Sequence, residues 1–405
     1  MIIERAVAMP KKANPMQVFQ ALLSNLQILK VAPSCNLFLM QYMRKFRLVE
    51  EGGNIILHSH LPPINTKAFS RFINEHLLAR TTGPSHAQIG VTNTCPQNCP
   101  YCYNKHRSGE TLSTSSIITA VKQLKSLGVV WLGLTGGEPL LNGDLPEIIR
   151  AAGDDCSVKL FTTGHGLTKK MASDLRDAGL CYVSVSLDHW KEHRHDALRD
   201  TPGSFRTALD AIELLRNTGK IHVGVSSVLS EELLREDYVE EFIRFLIEIG
   251  VHEAWFSETK PSNEALWACG STISSEEHAM LLKLQDRHNR QGNITINYLG
   301  HFEDRQHFGC NAGHKMVYVD SFGEVSPCVF TPISFGNIRE RSLMDIFMEM
   351  RSRFPSQDTC FINKNYPLFK KYFCGQSPMS GKEAADMMRE VSFGQYSKFY
   401  ELYYR

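Results

Sequence analysis

Cys95, Cys99 and Cys102 stand in the spacing C-x3-C-x2-C, and Gly136-Gly137-Glu138-Pro139 follows some thirty residues later. Thiolates at such short spacings are metal or cluster ligands. Iron–sulfur cubanes are usually held by four cysteines, so three of them leave one iron able to take a small molecule. Zinc is the competing reading, because short Cys spacings also build closed tetrahedral zinc sites. His106 would then be the nearby fourth ligand. A zinc knuckle gives no reason for the downstream glycine pair, whereas an open iron needs a second loop that approaches a ligand closely. Gly136 and Gly137 lack a Cβ and permit that approach, and Pro139 stiffens the turn that Glu138 enters.

These two motifs resemble the radical S-adenosylmethionine (SAM) superfamily, with Tyr101 as the aromatic residue before the third cysteine. The resemblance implies a 4Fe-4S cluster on Cys95, Cys99 and Cys102 that binds and cleaves SAM, with the Gly136–Pro139 loop meeting the methionine amino group. It further implies SAM contacts from Thr163, Ser184, Ser186 and Asp188. Arg199, in the run His195–Arg199 before Pro202-Gly203-Ser204-Phe205, is a candidate partner for the SAM carboxylate or one half of a surface salt bridge. Thr163 and His189 depart from the Asn and Gly common in the family. His189, His193 and His195 are spaced unevenly, as a solvated loop or helix start rather than a metal site.

The elements that must position these residues are legible from periodicity. Short β-rich runs beginning near Ala87, Val129, Ser157, Cys181, His222 and Glu253 alternate with amphipathic stretches at Ser115–Leu127, Leu145–Ala152, Lys169–Ala178, Ser204–Asn217 and Tyr238–Ile249. That pattern predicts parallel strands joined by helical crossovers. Six units match the partial (β/α)6 barrel of the resembled family, and both motifs fall at carboxyl ends of strands, where barrel enzymes keep reactive groups.

Downstream, Cys310, Gly323 and Cys328 lie in FGCNAGHKMVYVDSFGEVSPC, which reads as a β-hairpin around Asp320–Gly323. It resembles the opening of SPASM and twitch auxiliary domains. With only Cys360 and Cys374 beyond it, the resemblance implies a twitch-like domain with one auxiliary 4Fe-4S cluster on Cys310, Cys328, Cys360 and Cys374. Cys35, Cys156, Cys181 and Cys269 read as packing residues.

The expected divisions are an α+β extension over residues 1–85, the barrel over 86–295, the auxiliary domain over 296–378 and a helical tail over 379–405. In the extension, Val18, Phe19, Leu22, Leu23, Leu26 and Leu29 fit one helix face, read as core. An interfacial membrane helix would favour Lys and Arg on its polar face, and this one shows Gln, Ser and Asn. The tail aromatics Tyr396, Phe399, Tyr400, Tyr403 and Tyr404 read as helix packing.

The 405 residues carry 44 Lys and Arg against 43 Asp and Glu, a net charge of +1, which leaves no broad footprint for nucleic acid. Eleven cysteines without a secretory leader point to a reducing, cytoplasmic setting. No apolar run approaches the roughly 20 residues of a membrane span. The expected activity is reductive SAM cleavage and hydrogen abstraction from a C–H bond, in peptide or protein modification. A small-molecule dehydrogenase or a tetrapyrrole or cofactor-biosynthesis enzyme is the alternative, and a non-catalytic Fe–S electron carrier a second one. The implied partners are a peptide or small-molecule substrate and a low-potential donor such as flavodoxin or ferredoxin.

Overall fold

A computed structural model describes residues 11–267 and 273–405; Cys269 lies outside them. All six expected strands form: His86–Gly90, Trp131–Thr135, Ser157–Thr162, Tyr182–Ser186, His222–Leu229 and Glu253–Glu258. Each pairs in parallel with the next. Their near-continuous burial is what a sheet covered on both faces requires. Helices Thr114–Ser126, Leu145–Ala152, Lys169–Asp177, Ser204–Thr218 and Glu236–Glu248 return the chain over the outer face. Their apolar sides, such as Ile117, Val121 and Leu124 or Val239, Ile243 and Leu246, are at most 1% exposed.

The sheet runs further than six strands. Thr295–Tyr298 adds in parallel beside Glu253–Glu258, and Met316–Val319 adds in parallel beside His86–Gly90. Met316–Val319 also forms the expected hairpin with Val325–Ser326. The two outer edges do not pair with each other, so the barrel keeps a lateral seam between Thr295–Tyr298 and the hairpin.

The extension closes the lower end of the barrel. Ser59 inserts among the first residues of the strands. Its N–H and hydroxyl donate to Glu253, Lys159 Nζ donates to its Oγ at 2.7 Å, and Trp131 Nε1 donates to its carbonyl at 2.7 Å. Glu253 also meets His222 Nε2 and Asn297 Nδ2, both at 2.8 Å. A buried carboxylate is tolerable only with such a donor set.

The leucine stripe differs from the expectation. It is helical, over Pro15–Leu23 and a 3₁₀ turn at Leu26–Lys30, but the stripe does not form core. Phe19, Leu22, Leu23, Leu26 and Leu29 are between 48% and 73% exposed. The packed face is instead Ala21, Asn25 and partly Val18 and Ile28, the last two against a core cluster that includes Ile55, Ile73 and the tail residues Phe399 and Tyr403. Phe399, Tyr400 and Tyr403 pack as expected, whereas Tyr396 and Tyr404 remain about half exposed.

Candidate active site

The cysteine loop leaves the first barrel strand and is pinned to its neighbours by backbone. Gly137 N–H donates to the Thr92 carbonyl and Glu138 N–H to that of Thr94, both at 2.7 Å. A Cβ on Gly136 or Gly137 would sit 2.2 Å from the carbonyl oxygen of Thr92 or Thr94. Gly136 also holds φ at +132°, so both positions require glycine. On the other side, Asn98 Nδ2 donates to Asp200 at 2.8 Å, at the end of helix Glu192–Arg199.

Asp188, fully buried, organises the floor. It pairs with Arg199 Nη2 at 2.7 Å, accepts the Tyr101 hydroxyl, and takes the Val228 N–H at 2.9 Å. Arg199 is therefore no surface ion pair; it is 7% exposed, its guanidinium lies 5.7 Å from the Tyr101 ring, and Nη1 is 4.0 Å from Cys99 Sγ. Glu138 is likewise spent. Its oxygens accept from Leu140 N–H, Thr162 Oγ1 and both the N–H and Oγ1 of Thr163, four donors for about four lone pairs. Burial raises its pKa while those bonds lower it. Pro139 opens the short 3₁₀ turn beyond. Of the expected SAM contacts, Glu138, Thr163 and Asp188 thus hold the loops, while Gly136, Gly137, Ser184 and Ser186 make no competing side-chain bond.

Ser184 Oγ and Arg199 Nε are buried with no hydrogen-bond partner. With the glycine cradle and three thiols above them, these orphaned groups fit a polar cofactor seated between the cysteine loop and the strand ends. Burial pushes the Cys95 thiol up to about 11 and raises Cys99 and Cys102, so loading a cluster here would release protons. The zinc alternative loses its fourth ligand, because His106 faces Glu264 at 3.3 Å. His189 and His195 are buried, not solvated, each ring accepting a backbone N–H, and His193 is exposed.

A second thiol group borders the seam. Cys310 exchanges backbone hydrogen bonds with Gln357, and Cys360 precedes the 12-residue helix Phe361–Tyr372. The neighbouring Cys310 thiol and burial both push the Cys360 thiol well up, and burial lifts Cys328 to about 11. Cys374 does not join them. It lies exposed beyond the far end of that helix, a length of about 18 Å from Cys360, too far for one cubane. Sequence reasoning also missed Lys260, which sits between Glu258 at 2.7 Å and Glu303 at 2.5 Å beside Cys360. It missed the buried pair Arg107–Asp320, 2.8 Å, tying the cysteine loop to the hairpin. Neither has a local motif: Lys260 lies in the polar run 257–263 and Arg107 in the charged run 104–110, so no sequence signal marks either as buried.

A cavity of about 320 Å³ fills the seam. Cys310, Cys328 and Cys360 line it together with Trp255, Phe302 and Phe330 and with Ile28, Leu39 and Met43 of the extension, and its polar lining includes His58, His60, Glu303 and Lys315.

Residues 89–246 match the Radical SAM superfamily, and residues 310–368 match SPASM, an iron-sulfur cluster-binding domain. The chain is 28% identical over 294 residues to an AdoMet-dependent heme synthase of Methanosarcina barkeri, covering 67% of this chain and 84% of that one. It is 27% identical over 229 residues to a PqqA peptide cyclase of Bradyrhizobium diazoefficiens, covering 55% and 60% respectively. Among solved structures it resembles Streptococcus suis SuiB bound to the precursor peptide SuiA (TM-score 0.58, 15% identity, 78% of each chain). It also resembles anSMEcpe with bound AdoMet and the Cp18Cys peptide (TM-score 0.54, 18% identity, 79% of this chain and 96% of that one). The two matched stretches coincide with the two thiol groups, and the chain is a radical SAM superfamily enzyme with a SPASM-type auxiliary iron–sulfur domain.

Proposed function

We propose that Cys95, Cys99 and Cys102 hold the SAM-binding 4Fe-4S cluster, that Cys310, Cys328 and Cys360 hold an auxiliary cluster, and that the substrate is a small apolar molecule seated in the seam cavity. When bound, these groups supply a 5′-deoxyadenosyl radical for hydrogen abstraction and an acceptor for the electron left on the substrate. The chain's own contribution is placement. Gly136 and Gly137 admit the methionine end of SAM, Ser184 and Ser186 offer hydroxyls, and Arg199 brings a cation against Cys99. Apolar walls exclude water that would quench a reactive intermediate. Lys260 places a positive charge beside the Cys360 thiol. A low-potential donor, flavodoxin or ferredoxin, completes the system.

The observation that carries the substrate class is the apolar lining of the cavity beside three thiols. Peptide modification is the second reading, favoured by the likeness to PqqA peptide cyclase. Extracts of deuterium-grown cells, split into organic-soluble and peptide fractions, distinguish the two. Deuterium should reach 5′-deoxyadenosine with the organic-soluble fraction; transfer from the peptide fraction alone would overturn the apolar assignment.

A further inference from the structure

The outer face of the extension is unlike any other surface of the molecule. Thirteen large apolar side chains are strongly exposed among the described residues, and eight of them fall between Met16 and Met40. Met16, Phe19, Leu22 and Leu23 fall on one side of helix Pro15–Leu23, and Leu26 and Leu29 stand three apart on the 3₁₀ turn Leu26–Lys30, all of them strongly exposed. Leu37 and Met40 repeat that spacing on the next helix, Pro33–Met43. A surface helix of a globular protein is apolar on the side that meets the core. Here the inward residues Ile28, Leu39 and Met43 are apolar too, since they line the seam cavity. Helices apolar on both sides are ordinarily buried in something.

Charge says what that is. From Lys11 to Val49 the sequence holds six cations, Lys11, Lys12, Lys30, Arg44, Lys45 and Arg47, and no acidic residue, in a chain whose net charge is only +1. Lys11 pairs with Glu50, Lys45 bonds His301 and His307, and Arg47 bonds the Gly292 carbonyl. Lys12, Lys30 and Arg44 are exposed and make no ion pair among the described residues. The polar side of these helices carries Gln, Ser and Asn, and the cations instead flank the apolar face; an apolar face flanked by unopposed cations is complementary to an anionic lipid surface.

We propose that this face docks the enzyme onto an anionic bilayer, with the leucine stripe entering the interface and Lys12, Lys30 and Arg44 meeting headgroups. Two of these segments, Leu26–Lys30 and Pro33–Met43, also give Ile28, Leu39 and Met43 to the lining of the seam cavity, so an apolar substrate has a route to it from the bilayer through them. That route rests on the cavity being the substrate site; docking does not.

Flotation of the cluster-loaded enzyme with vesicles is the test. The protein should float with phosphatidylglycerol and phosphatidylcholine in equal parts, and less with phosphatidylcholine alone or at high salt. The variant Phe19→Ser/Leu22→Ser/Leu29→Ser should lose about tenfold or more of that partitioning, while keeping its 5′-deoxyadenosine release in lipid-free buffer. Lys12→Glu/Lys30→Glu/Arg44→Glu should lose the preference for anionic vesicles. A wild-type protein that ignores both vesicle types, or a serine variant that floats as well as wild type, overturns the proposal. So does a serine variant that turns a dimer into a monomer while wild type ignores lipid, because the face is then an interface between copies. Absent 5′-deoxyadenosine release in wild type would count against SAM cleavage and leave docking intact.

Discussion

Cys360 sits at the start of helix Phe361–Tyr372 with the Cys310 thiol as its neighbour, and Cys374 lies past the helix's other end. The helix holds the two cysteines apart by its length, which we take to keep Cys374 out of the cluster. Cys360→Ala should therefore lose the auxiliary share of iron and sulfide in anaerobically purified protein, and Cys374→Ala should retain all of it. A matched loss in both variants would put Cys374 back among the ligands. At this scale the three thiols at Cys95–Cys102 and the glycine pair were legible, because short covalent spacing alone brings them together. The role of Glu138 was not. Its carboxylate reads as a ligand contact beside two glycines, but Thr162 and Thr163 on the next strand consume it. Arg199 was legible as a site residue, and its commitment to Asp188 was not, since the pairing depends on how a strand end meets the following helix.

Among elements, the cysteine loop and the auxiliary hairpin are locked by Arg107 and Asp320, both side chains fully buried. Asp320 also accepts the N–H groups of Phe322 and Glu324, so it shapes the hairpin turn as well. Arg107→Met leaves that carboxylate buried without its counter-charge, at a cost of about 3–5 kcal/mol. The reconstituted variant should melt well below wild type, and an unchanged melting temperature would show that the pair contributes little. The six barrel strands were legible because parallel strands buried on both faces read as continuous apolar runs. The pairing of Met316–Val319 with His86–Gly90 was not, because nothing local marks a partner some 230 residues away. The leucine stripe shows the same limit in another form. Periodicity identified the helix and its apolar face, but not what that face meets.

For the molecule as a whole, burial of histidines predicts acid sensitivity. Burial lowers His58 and His252 to about 4 and His76 to about 3, whereas unfolded rings titrate near 6.5. Between those values the unfolded chain binds more protons, so stability falls as pH drops from 6.5 toward 4. Each fully buried ring contributes roughly 1 kcal/mol of loss between pH 7.5 and 5.5. Glu253, held at about 2 by His222 against the opposing effect of burial, adds a further loss below about 4.5. The melting temperature at pH 5.5 should lie several degrees below that at 7.5, with cluster absorbance followed in parallel; an equal or higher value would contradict neutral buried rings. Among the described residues no helix is long and apolar enough to cross a membrane. The most direct measurement of the central claim is 5′-deoxyadenosine release from SAM by the reconstituted, dithionite-reduced enzyme beside a Cys95→Ala/Cys99→Ala/Cys102→Ala variant. Release by wild type and none by the variant is the expected result. Equal release from both, or none from a wild type with full cluster content and bound SAM, would contradict it.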